Sequence, residues 1–329
     1  MALVTSEETF KQLWDEWEAL LSRCPGQRVF QTPVWHHLWW REMHGDAQLQ
    51  LTSFREDGAL VGLAPLMSKN RSLSFLGDTD LWDYHDFVVA PGKDKDFFPV
   101  LFNVIDPQPW KEFTLTSVPE TSLSLAYLPD LCKAHGYTFE QTSEDVAPGL
   151  ALPPTWDDYL SLLSKKDRHE LRRKLRRLEG QADFKWYAAQ STPADSDAFN
   201  KDLSDFFGLM ALSRAEKAEF LTPDREAFFR RMALDTAKAG VLRLFFMEVE
   251  GKRVAAAICF DYGNTRFLYN SGYNPDYYHL SVGLLLNAMS LRQAIEEGKG
   301  YFDFLRGNEP YKYDLGAKDV NLYRLVIRR

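Results

Sequence analysis

The residues Ser281, Val282, Gly283 and Leu284 have the types and the position of an anion-binding site. They begin an apolar helical pattern that follows a strand pattern and a loop, with Ser281 as the predicted N-cap. A helix that starts inside a protein leaves unpaired N–H groups, which bind anionic groups such as a pyrophosphate. Gly283 would let a ligand approach the backbone closely. The alternative is a close helix–strand contact that needs a small residue.

A second polar segment, Gly77–Asp86, contains four Asp residues together with a His, a Trp and a Tyr. Asp83 and Asp86 are predicted to bind a polar acceptor, and a divalent metal ion is a less favoured ligand. Carboxylates that lie close together raise each other's pKa, which is one way to prepare a base. The alternative is a solvated turn with one ordered Asp, because Asp and Gly are ordinary loop residues.

A third segment, Ser164–Gly180, gathers eight Lys and Arg residues against three acidic residues in a chain whose net charge is −8. Its first residue and Asp167 form a capping pair, and its last residue is a natural C-terminal cap. Only a narrow Leu seam is apolar, so packing does not explain the cations. We expect Arg172 and Arg173 to face an anion. The alternative is a solvated helix that balances acidic neighbours.

Strands and a helix must position these residues. Val254–Phe260 and Arg266–Asn270 are β-favouring runs on either side of the turn dipeptide Gly263-Asn264, so they predict a hairpin. The helix that begins at Ser281 is apolar almost all round in its first half and gains a polar side in its second half. We therefore expect it to start inside the protein and to end at the surface. A further strand is predicted to end at Asp303.

The rest of the chain alternates helical and strand patterns, which is typical of an α/β fold with helices packed on a sheet. A helix is predicted over Ser6–Ser22, and the Trp-rich run Val34–Trp40 is predicted to belong to the core. Pro148 and Pro153-Pro154 mark a boundary. The predicted domains are therefore residues 1–150 and residues 151–329.

Composition limits the class of protein. The 329 residues are 45% hydrophobic and 14% aromatic, which is enough for a substantial core. Three scattered cysteines do not suggest a metal site or a disulfide framework. The chain has no signal-peptide pattern at its N-terminus and no apolar run of about 20 residues, so we expect a cytoplasmic protein without a membrane span.

The run Asp303-Phe304-Leu305-Arg306-Gly307, followed by Glu309-Pro310-Tyr311-Lys312, resembles the acetyltransferase (GNAT) superfamily. The similarity is to its CelD/BcsL-like branch, which is related to the Fem-type peptidoglycan bridge-forming transferases. It is clearest from about Trp156 onwards. The resemblance implies two GNAT-like halves in tandem. The chain departs from the Q/R-x-x-G-x-G/A signature of acetyl-CoA enzymes, because His279–Leu284 reads H-L-S-V-G-L.

The resemblance also implies roles for individual residues. Acyl transfer needs a bound thioester, backbone N–H groups that polarise its carbonyl, a base and an acid. The carbonyl is expected along Phe267–Ser271 and the donor phosphates at Ser281–Leu284. The base is expected to be Asp303 or Glu309. The acid is expected to be Tyr311, Tyr273 or Tyr278. Substrate binding is expected from Tyr273, Arg306 and Lys312. The alternatives are that Asp303 caps a turn or pairs with Arg306, that Glu309 begins a helix and that Tyr311 packs.

Three functions remain open from the sequence. The leading one is an N-acyltransferase that moves an acyl group from acyl-CoA, without a metal, to an amine on a sugar, lipid or amino-acid-like acceptor in envelope or polysaccharide biosynthesis. The second is a Fem-like aminoacyltransferase that uses charged tRNA. The third is a non-catalytic GNAT-fold binding protein. The basic segment is expected to contact CoA phosphates, a phosphorylated acceptor, tRNA or, peripherally, anionic lipid.

Overall fold

The structure, a computed structural model, describes residues 4–189 and 196–329. The chain forms two compact units. The first comprises the chain up to Ala147 together with Val320–Arg329, and the second comprises Pro148–Asp319. The predicted domains, residues 1–150 and 151–329, remain a prediction. The two units differ from these domains because the last ten residues of the chain belong to the first unit.

The first unit contains an eight-stranded sheet in the order β1-β2-β3-β4-β6-β14-β7, with β5 paired to β3. Its strands are β1 (Val4–Glu7), β2 (Gln48–Glu56), β3 (Ala59–Lys69), β4 (Ser72–Phe75), β5 (Val88–Val89), β6 (Glu112–Pro119), β7 (Thr138–Val146) and β14 (Asn321–Arg328). Its helices are α1 (Phe10–Leu21), α2 (Pro33–Met43), α3 (Asp94–Ile105) and α4 (Ser124–Ala134). Strand β14 was not predicted, and it lies between β6 and β7.

Local sequence explains most of these elements. The β2–β3 hairpin turns at Asp57 and Gly58, which both have positive φ, as a tight turn between strands requires. Thr32 accepts the Trp35 N–H at the start of α2, and Pro33 occupies the first helical position. The core prediction for the Trp-rich run is confirmed, because Trp35 and Trp39 are buried.

The predicted helix over Ser6–Ser22 was wrong at its start. A strand occupies Val4–Glu7, and the helix begins at Phe10. The reason is a capping box: the Thr9 side chain accepts the Gln12 N–H, while Gln12 Oε1 accepts the Thr9 N–H at 2.8 Å. The helical spacing of the apolar residues starts at Phe10, so the residues before Thr9 are free to pair with β2.

The second unit contains a six-stranded sheet in the order β8-β13-β12-β11-β10-β9. Its strands are β8 (Gly149–Ala151), β9 (Phe184–Ala188), β10 (Leu242–Val249), β11 (Lys252–Tyr262), β12 (Thr265–Tyr273) and β13 (Tyr301–Asp303). Its helices are α5 (Trp156–Leu162), α6 (Lys165–Gln181), α7 (Asp197–Ser213), α8 (Ala215–Phe220), α9 (Pro223–Lys238), α10 (Val282–Glu296) and α11 (Pro310–Asp314). The predicted β11–β12 hairpin is confirmed.

Two features of β12 position the site. β12 pairs in parallel with β13 only over Thr265–Phe267, so the two strands part beyond that point. On its other side β12 contains a bulge, because Leu268 and Asn270 face successive residues of β11. α10 packs against this sheet with its first turns buried, and exposed residues appear only in its last turns, as predicted. The parting of β12 and β13 leaves one edge of β12 unpaired beside α10 and α11.

No helix in residues 4–189 and 196–329 is long and apolar enough to cross a membrane. Within the same ranges no group of three or more His, Cys, Asp or Glu side chains is arranged to hold a metal ion.

Candidate active site

Lys312 organises the loop that follows β13. Its side chain is buried at 2% exposure, and Nζ donates to the carbonyl oxygens of Leu305, Arg306 and Gly307 at 2.8, 2.8 and 2.9 Å. An ammonium group has three hydrogens, so the loop uses all of them. The prediction that Lys312 binds substrate therefore has a simpler alternative, in which this lysine holds the loop in shape.

Glu309 is the carboxylate that this loop presents. Its Oε2 lies 2.9 Å from Lys312 Nζ, and it occupies the N-cap position of α11. Gly307 has φ +105°, and a Cβ there would lie 2.7 Å from Glu309 Oε2, so the close approach requires glycine. Burial raises the pKa of Glu309, but Lys312, its own backbone N–H and Arg214 together hold that pKa below its ordinary value. Glu309 is therefore ionised at neutral pH.

Asp303 stabilises the beginning of the same loop. Its carboxylate is buried and accepts the Leu305 N–H at 2.8 Å. Leu305 has φ 60°, which non-glycine residues rarely adopt, so this hydrogen bond supports an unusual turn. Asp303 does not line the cavity described below. The geometry fits the alternative in which Asp303 caps a turn, and its role as a base remains a prediction.

A cavity of about 340 Å³ opens beside this loop within the second unit. It lies where β12, α10 and α11 meet α6 and the junction of α7 and α8. Its lining residues are Lys174, Ser213, Arg214, Lys217, Ser271, Tyr273, Tyr278, Ser281, Val282, Gly283, Leu284, Asn287, Glu309, Pro310, Tyr311 and Asp314. The structure thus brings together eight of the predicted candidate residues with one cation from α6 and two cations from the junction of α7 and α8.

The start of α10 meets the basic helix α6. Ser281 occupies the N-cap position of α10, as predicted, but it has φ 59° and its side chain makes no capping hydrogen bond. Its hydroxyl instead accepts a hydrogen bond from Arg177 Nη2 at 2.9 Å. Arg177 Nε is buried and has no acceptor among the described residues. The uncapped N–H groups of the first turn and this guanidinium can together bind an anion.

Gly283 lines the cavity and also packs closely against a neighbouring side chain. A Cβ on this residue would lie 2.9 Å from Tyr273 Cδ1, so the tyrosine ring occupies the space that a side chain would need. Gly283 has an ordinary helical conformation, so its backbone does not demand glycine. The close-contact alternative and the ligand-binding prediction therefore apply to the same residue.

Lys217 and Asn287 line the cavity but were not predicted as site residues. Lys217 Nζ donates to Asn270 Oδ1 at 2.8 Å and to the carbonyl oxygen of Ser271. Burial and the nearby Arg214 lower the pKa of Lys217 to about 8. Asn287 is 3% exposed, and its Oδ1 has no donor among the described residues. A ligand with an N–H group would satisfy that oxygen.

Residues 165–313 match the family model described as an acetyltransferase (GNAT) domain. This match covers less than half of the chain, so it identifies a domain within the second unit. It spans α6, the cavity and the loop around Lys312. The second unit therefore contains a GNAT domain, and the earlier resemblance is confirmed at the level of the superfamily.

No curated protein matches the sequence. Several solved structures are similar in fold. FemX is 12% identical with a TM-score of 0.67, over 98% of this chain and 96% of FemX. The C-terminal domain of a putative lysylphosphatidylglycerol synthetase from Agrobacterium fabrum is 11% identical with a TM-score of 0.60, over 98% of this chain and 92% of that one. A tandem GNAT protein from the clavulanic acid biosynthesis pathway is 13% identical with a TM-score of 0.51, over 98% of each chain.

At these identities the similarity shows the fold. The chain has a mixed α/β, GNAT-like fold with two sheets, and its structural neighbours include a protein with tandem GNAT domains. The predicted fold class is therefore confirmed. The CelD/BcsL-like branch is a finer assignment that these similarities do not reach.

The remaining predicted residues are not among those that line the cavity. Arg172 and Arg173 are exposed on α6, and the Arg173 guanidinium is paired with Glu170. Arg306 does not line the cavity, although its carbonyl binds Lys312. The cavity receives Lys174 from α6 instead. The helical capping pair at its start is confirmed, whereas α6 continues through Gln181 and does not end at its glycine.

Asp83 and Asp86 belong to the first unit. Asp86 is buried, and its Oδ1 accepts hydrogen bonds from the Ser122 hydroxyl at 2.7 Å and the Phe87 N–H at 2.9 Å. Burial raises the pKa of Asp86 to about 6, against the lowering effect of these donors and of Arg28. This environment fits the alternative of one ordered Asp in a loop. The substrate-binding role of both residues remains a prediction.

Proposed function

We propose that this protein transfers an acyl group from acyl-CoA to the nitrogen of an amine acceptor, with the cavity of the GNAT domain as its active site. The observation that carries the proposal is the meeting of Arg177 with Ser281 at the uncapped start of α10. A pyrophosphate bound there would receive N–H groups from the helix and a charge-assisted hydrogen bond from the free Nε of Arg177. Lys174, from the same helix as Arg177, lines the cavity itself.

The other groups in the cavity suit the chemistry. Ionised Glu309 would hold the ammonium form of the acceptor, since opposite charges attract strongly in a partly buried site. Tyr311 lines the cavity, and burial together with Glu309 raises its pKa, so its hydroxyl is protonated and can donate to a leaving thiolate. Asn287 Oδ1 would accept an amide N–H of the pantetheine arm or an N–H of the acceptor.

The finer assignment follows the residues from Asp303 to Lys312. Their resemblance to the CelD/BcsL-like branch supports an acceptor from envelope or polysaccharide biosynthesis, such as an amino sugar, lipid or amino-acid-like amine. Lys312 binds a backbone carbonyl of this run and the Glu309 carboxylate, so it stabilises the loop that positions Glu309. The cytoplasmic location of the protein remains a prediction from the sequence.

Calorimetric titration with acetyl-CoA tests the donor site. The double variant Lys174→Ala/Arg177→Ala should weaken binding about tenfold or more, because it removes charge-assisted contacts to phosphate. The matched control is Arg172→Ala/Arg173→Ala on the exposed side of α6, which should change affinity less than about twofold. Equal affinity in wild type and Lys174→Ala/Arg177→Ala, or no binding of acetyl-CoA to wild type, would contradict the proposal.

A second function, tRNA-dependent aminoacyl transfer, is favoured by the cationic side chains of α6 that do not line the cavity. Arg172 and Arg176 are exposed on α6, outside the lining of the cavity. A polynucleotide bound to them would show a steep salt dependence, with a log–log slope of about −0.7 to −0.9 per neutralised phosphate. The triple variant Arg172→Ala/Arg173→Ala/Arg176→Ala should abolish such binding. Tight tRNA binding with that behaviour would place this function first, whereas a shallow salt slope for acetyl-CoA supports the acyl-CoA proposal.

A further inference from the structure

Lys217 is held in the cavity by two acceptors. Its Nζ donates to Asn270 Oδ1 and to the Ser271 carbonyl oxygen, both on the part of β12 that has left β13. Among the described residues no third acceptor is recorded for this amine. Because an ammonium group has three hydrogens, one of them is left for the cavity that Lys217 lines.

The number of acceptors matters for the protonation state. A neutral amine has two N–H donors and one lone pair, so Lys217 keeps both of its hydrogen bonds after it loses a proton. Lys312 provides the contrast, since its Nζ donates to three carbonyl oxygens and lies 2.9 Å from Glu309 Oε2. Lys312 therefore uses every hydrogen of its ammonium group. The geometry of Lys217, with two acceptors, allows a neutral amine.

The surrounding charges act in the same direction. Burial is the largest influence on Lys217, and Arg214 and Lys312 also favour its neutral form, whereas Glu309 favours its charged form. Together they lower the pKa of Lys217 to about 8. The other charged groups that line the cavity are Lys174 and Asp314. A base is most effective when its pKa lies near the working pH, so this amine is better matched to proton transfer than a carboxylate with a lowered pKa.

We propose that Lys217 is the catalytic base of the acyl transfer, and that its neutral amine removes a proton from the ammonium of the acceptor. This inference rests on the proposed function for the identity of the reaction. Glu309 then holds the acceptor, and its ion contact with Lys312 explains why it stays ionised. The base thus comes from α8, a short helix that lies about a hundred residues before the loop of Glu309.

The protons and bonds balance. The acceptor ammonium gives one proton to the neutral Lys217 amine, and its nitrogen lone pair then forms the C–N bond with the thioester carbonyl carbon. The C–S bond breaks, and the thiolate takes the Tyr311 hydroxyl proton while Tyr311 regains one from the new amide nitrogen. Lys217 finally releases its proton to water. The products are an amide, the free CoA thiol and one proton, and no oxidant, reductant or metal is needed.

The first experiment measures the amine without any substrate. In protein with ¹³C-labelled lysine, the Cε resonance that disappears in Lys217→Arg belongs to Lys217, and its shift is followed from pH 6 to 11 by NMR. We expect a titration midpoint near 8. A midpoint at about 10.4, the ordinary value for lysine, would overturn the proposal. Lys201→Arg is the control, because Lys201 is 73% exposed on α7.

The second experiment distinguishes a role of Lys217 in proton transfer from a role of its positive charge. Arginine keeps the cation and the donors but cannot act as a base. With acetyl-CoA as donor and glucosamine as the amine probe, Lys217→Arg should lower kcat about a hundredfold or more while acetyl-CoA affinity stays within about twofold. The acid limb of the wild-type pH profile should follow the NMR midpoint. Retained turnover in Lys217→Arg would overturn the proposal by showing that only the charge is needed.

The two proposals can fail separately. Absence of acetyl-CoA binding to wild type contradicts the acyl-CoA function, whatever the state of Lys217. The NMR midpoint decides whether Lys217 can act as a base, whether or not glucosamine is accepted. A normal midpoint together with acetyl-CoA binding would leave the donor site supported and the assignment of Lys217 rejected.

Discussion

Both units contain a parallel strand pair that parts, and they fill the resulting gap differently. In the first unit β4 pairs with β6 over Ser72–Ser74, and beyond that pairing His85 of the loop 77–86 contacts both strands. The His85 N–H binds the Ser117 carbonyl of β6 at 3.0 Å, and the His85 ring stacks on Phe75 of β4. In the second unit β12 leaves β13 after Phe267, and a cavity lies along the unpaired part of β12.

The difference lies in the side chains and not in the strand order. In the first unit, the loop that follows β4 buries the aromatic side chains of Trp82, Tyr84 and His85. Gly77 has φ +129°, and a Cβ there would collide with the Trp82 ring, so the loop is packed tightly against itself. The second gap is bordered by polar and charged side chains. A GNAT-like strand arrangement thus provides a place for a site, and its lining decides whether ligand fits.

The carboxylates of the two regions follow the same contrast. Asp86 is surrounded by hydroxyl and N–H donors, and burial raises its pKa to about 6. Glu309 is also partly buried, but Lys312 and Arg214 hold its pKa below the ordinary value. Lys312 and Arg214 therefore keep the carboxylate of the cavity ionised, whereas at Asp86 full burial outweighs Arg28 and the hydrogen-bond donors.

The largest expected effect is that of Lys312→Ala. The change leaves three carbonyl oxygens of the loop without their donor and Glu309 without its cation. We expect a loss of about 3–5 kcal/mol in the free energy of unfolding, measured by urea denaturation, together with loss of turnover. The exposed control Lys201→Ala should change stability by less than about 0.5 kcal/mol. A stable and active Lys312→Ala protein would show that the loop does not depend on this lysine.

The second prediction compares the two carboxylates directly. Glu309→Gln removes the charge that would hold the acceptor ammonium, so kcat/KM should fall about a hundredfold or more. Asp86→Asn keeps an oxygen that can accept the Ser122 hydroxyl and should leave kcat/KM within about twofold. Both values come from the same acetyl-CoA turnover assay. The reverse pattern would move the active site to the first unit and break the comparison.

The smallest effect is a difference in pH dependence. Because the pKa of Asp86 rises on folding from 3.8 to about 6, the folded state binds this proton more tightly than the unfolded state. Asp86 therefore supports stability at low pH, and we expect about 2–3 kcal/mol of that support to disappear as pH rises from about 4 to about 6. Urea denaturation at several pH values should show this slope in wild type and not in Asp86→Asn.

Glu309 should behave in the opposite way. Its lowered pKa means that its contribution to stability is present above the ordinary glutamate value and is lost as pH falls through the folded value. Comparison of wild type with Glu309→Gln at acid pH tests this sign. Identical pH profiles for wild type, Asp86→Asn and Glu309→Gln would remove the electrostatic part of the comparison.

Local sequence determined much of the fold. The spacing of apolar residues and the turn dipeptide at Gly263-Asn264 were sufficient for the β11–β12 hairpin and for α10, because periodicity and turn chemistry act within a few residues. The resemblance of Asp303–Lys312 indicated the superfamily. Strand β14 was missed because its pairing depends on β6 and β7, which lie about two hundred residues earlier in the chain.

The site was decided by tertiary structure. Arg177 reaches Ser281 across 104 residues, and Lys217 reaches Ser271 across 54 residues, so no local pattern could reveal either contact. Sequence pointed to Arg172 and Arg173, but the rotation of α6 on its Leu seam turns Lys174 and Arg177 towards α10. The number of cations in a helix can be read from the sequence. Which cations meet a cavity depends on the phase of a helix against its neighbours, and only the packed structure fixes that phase.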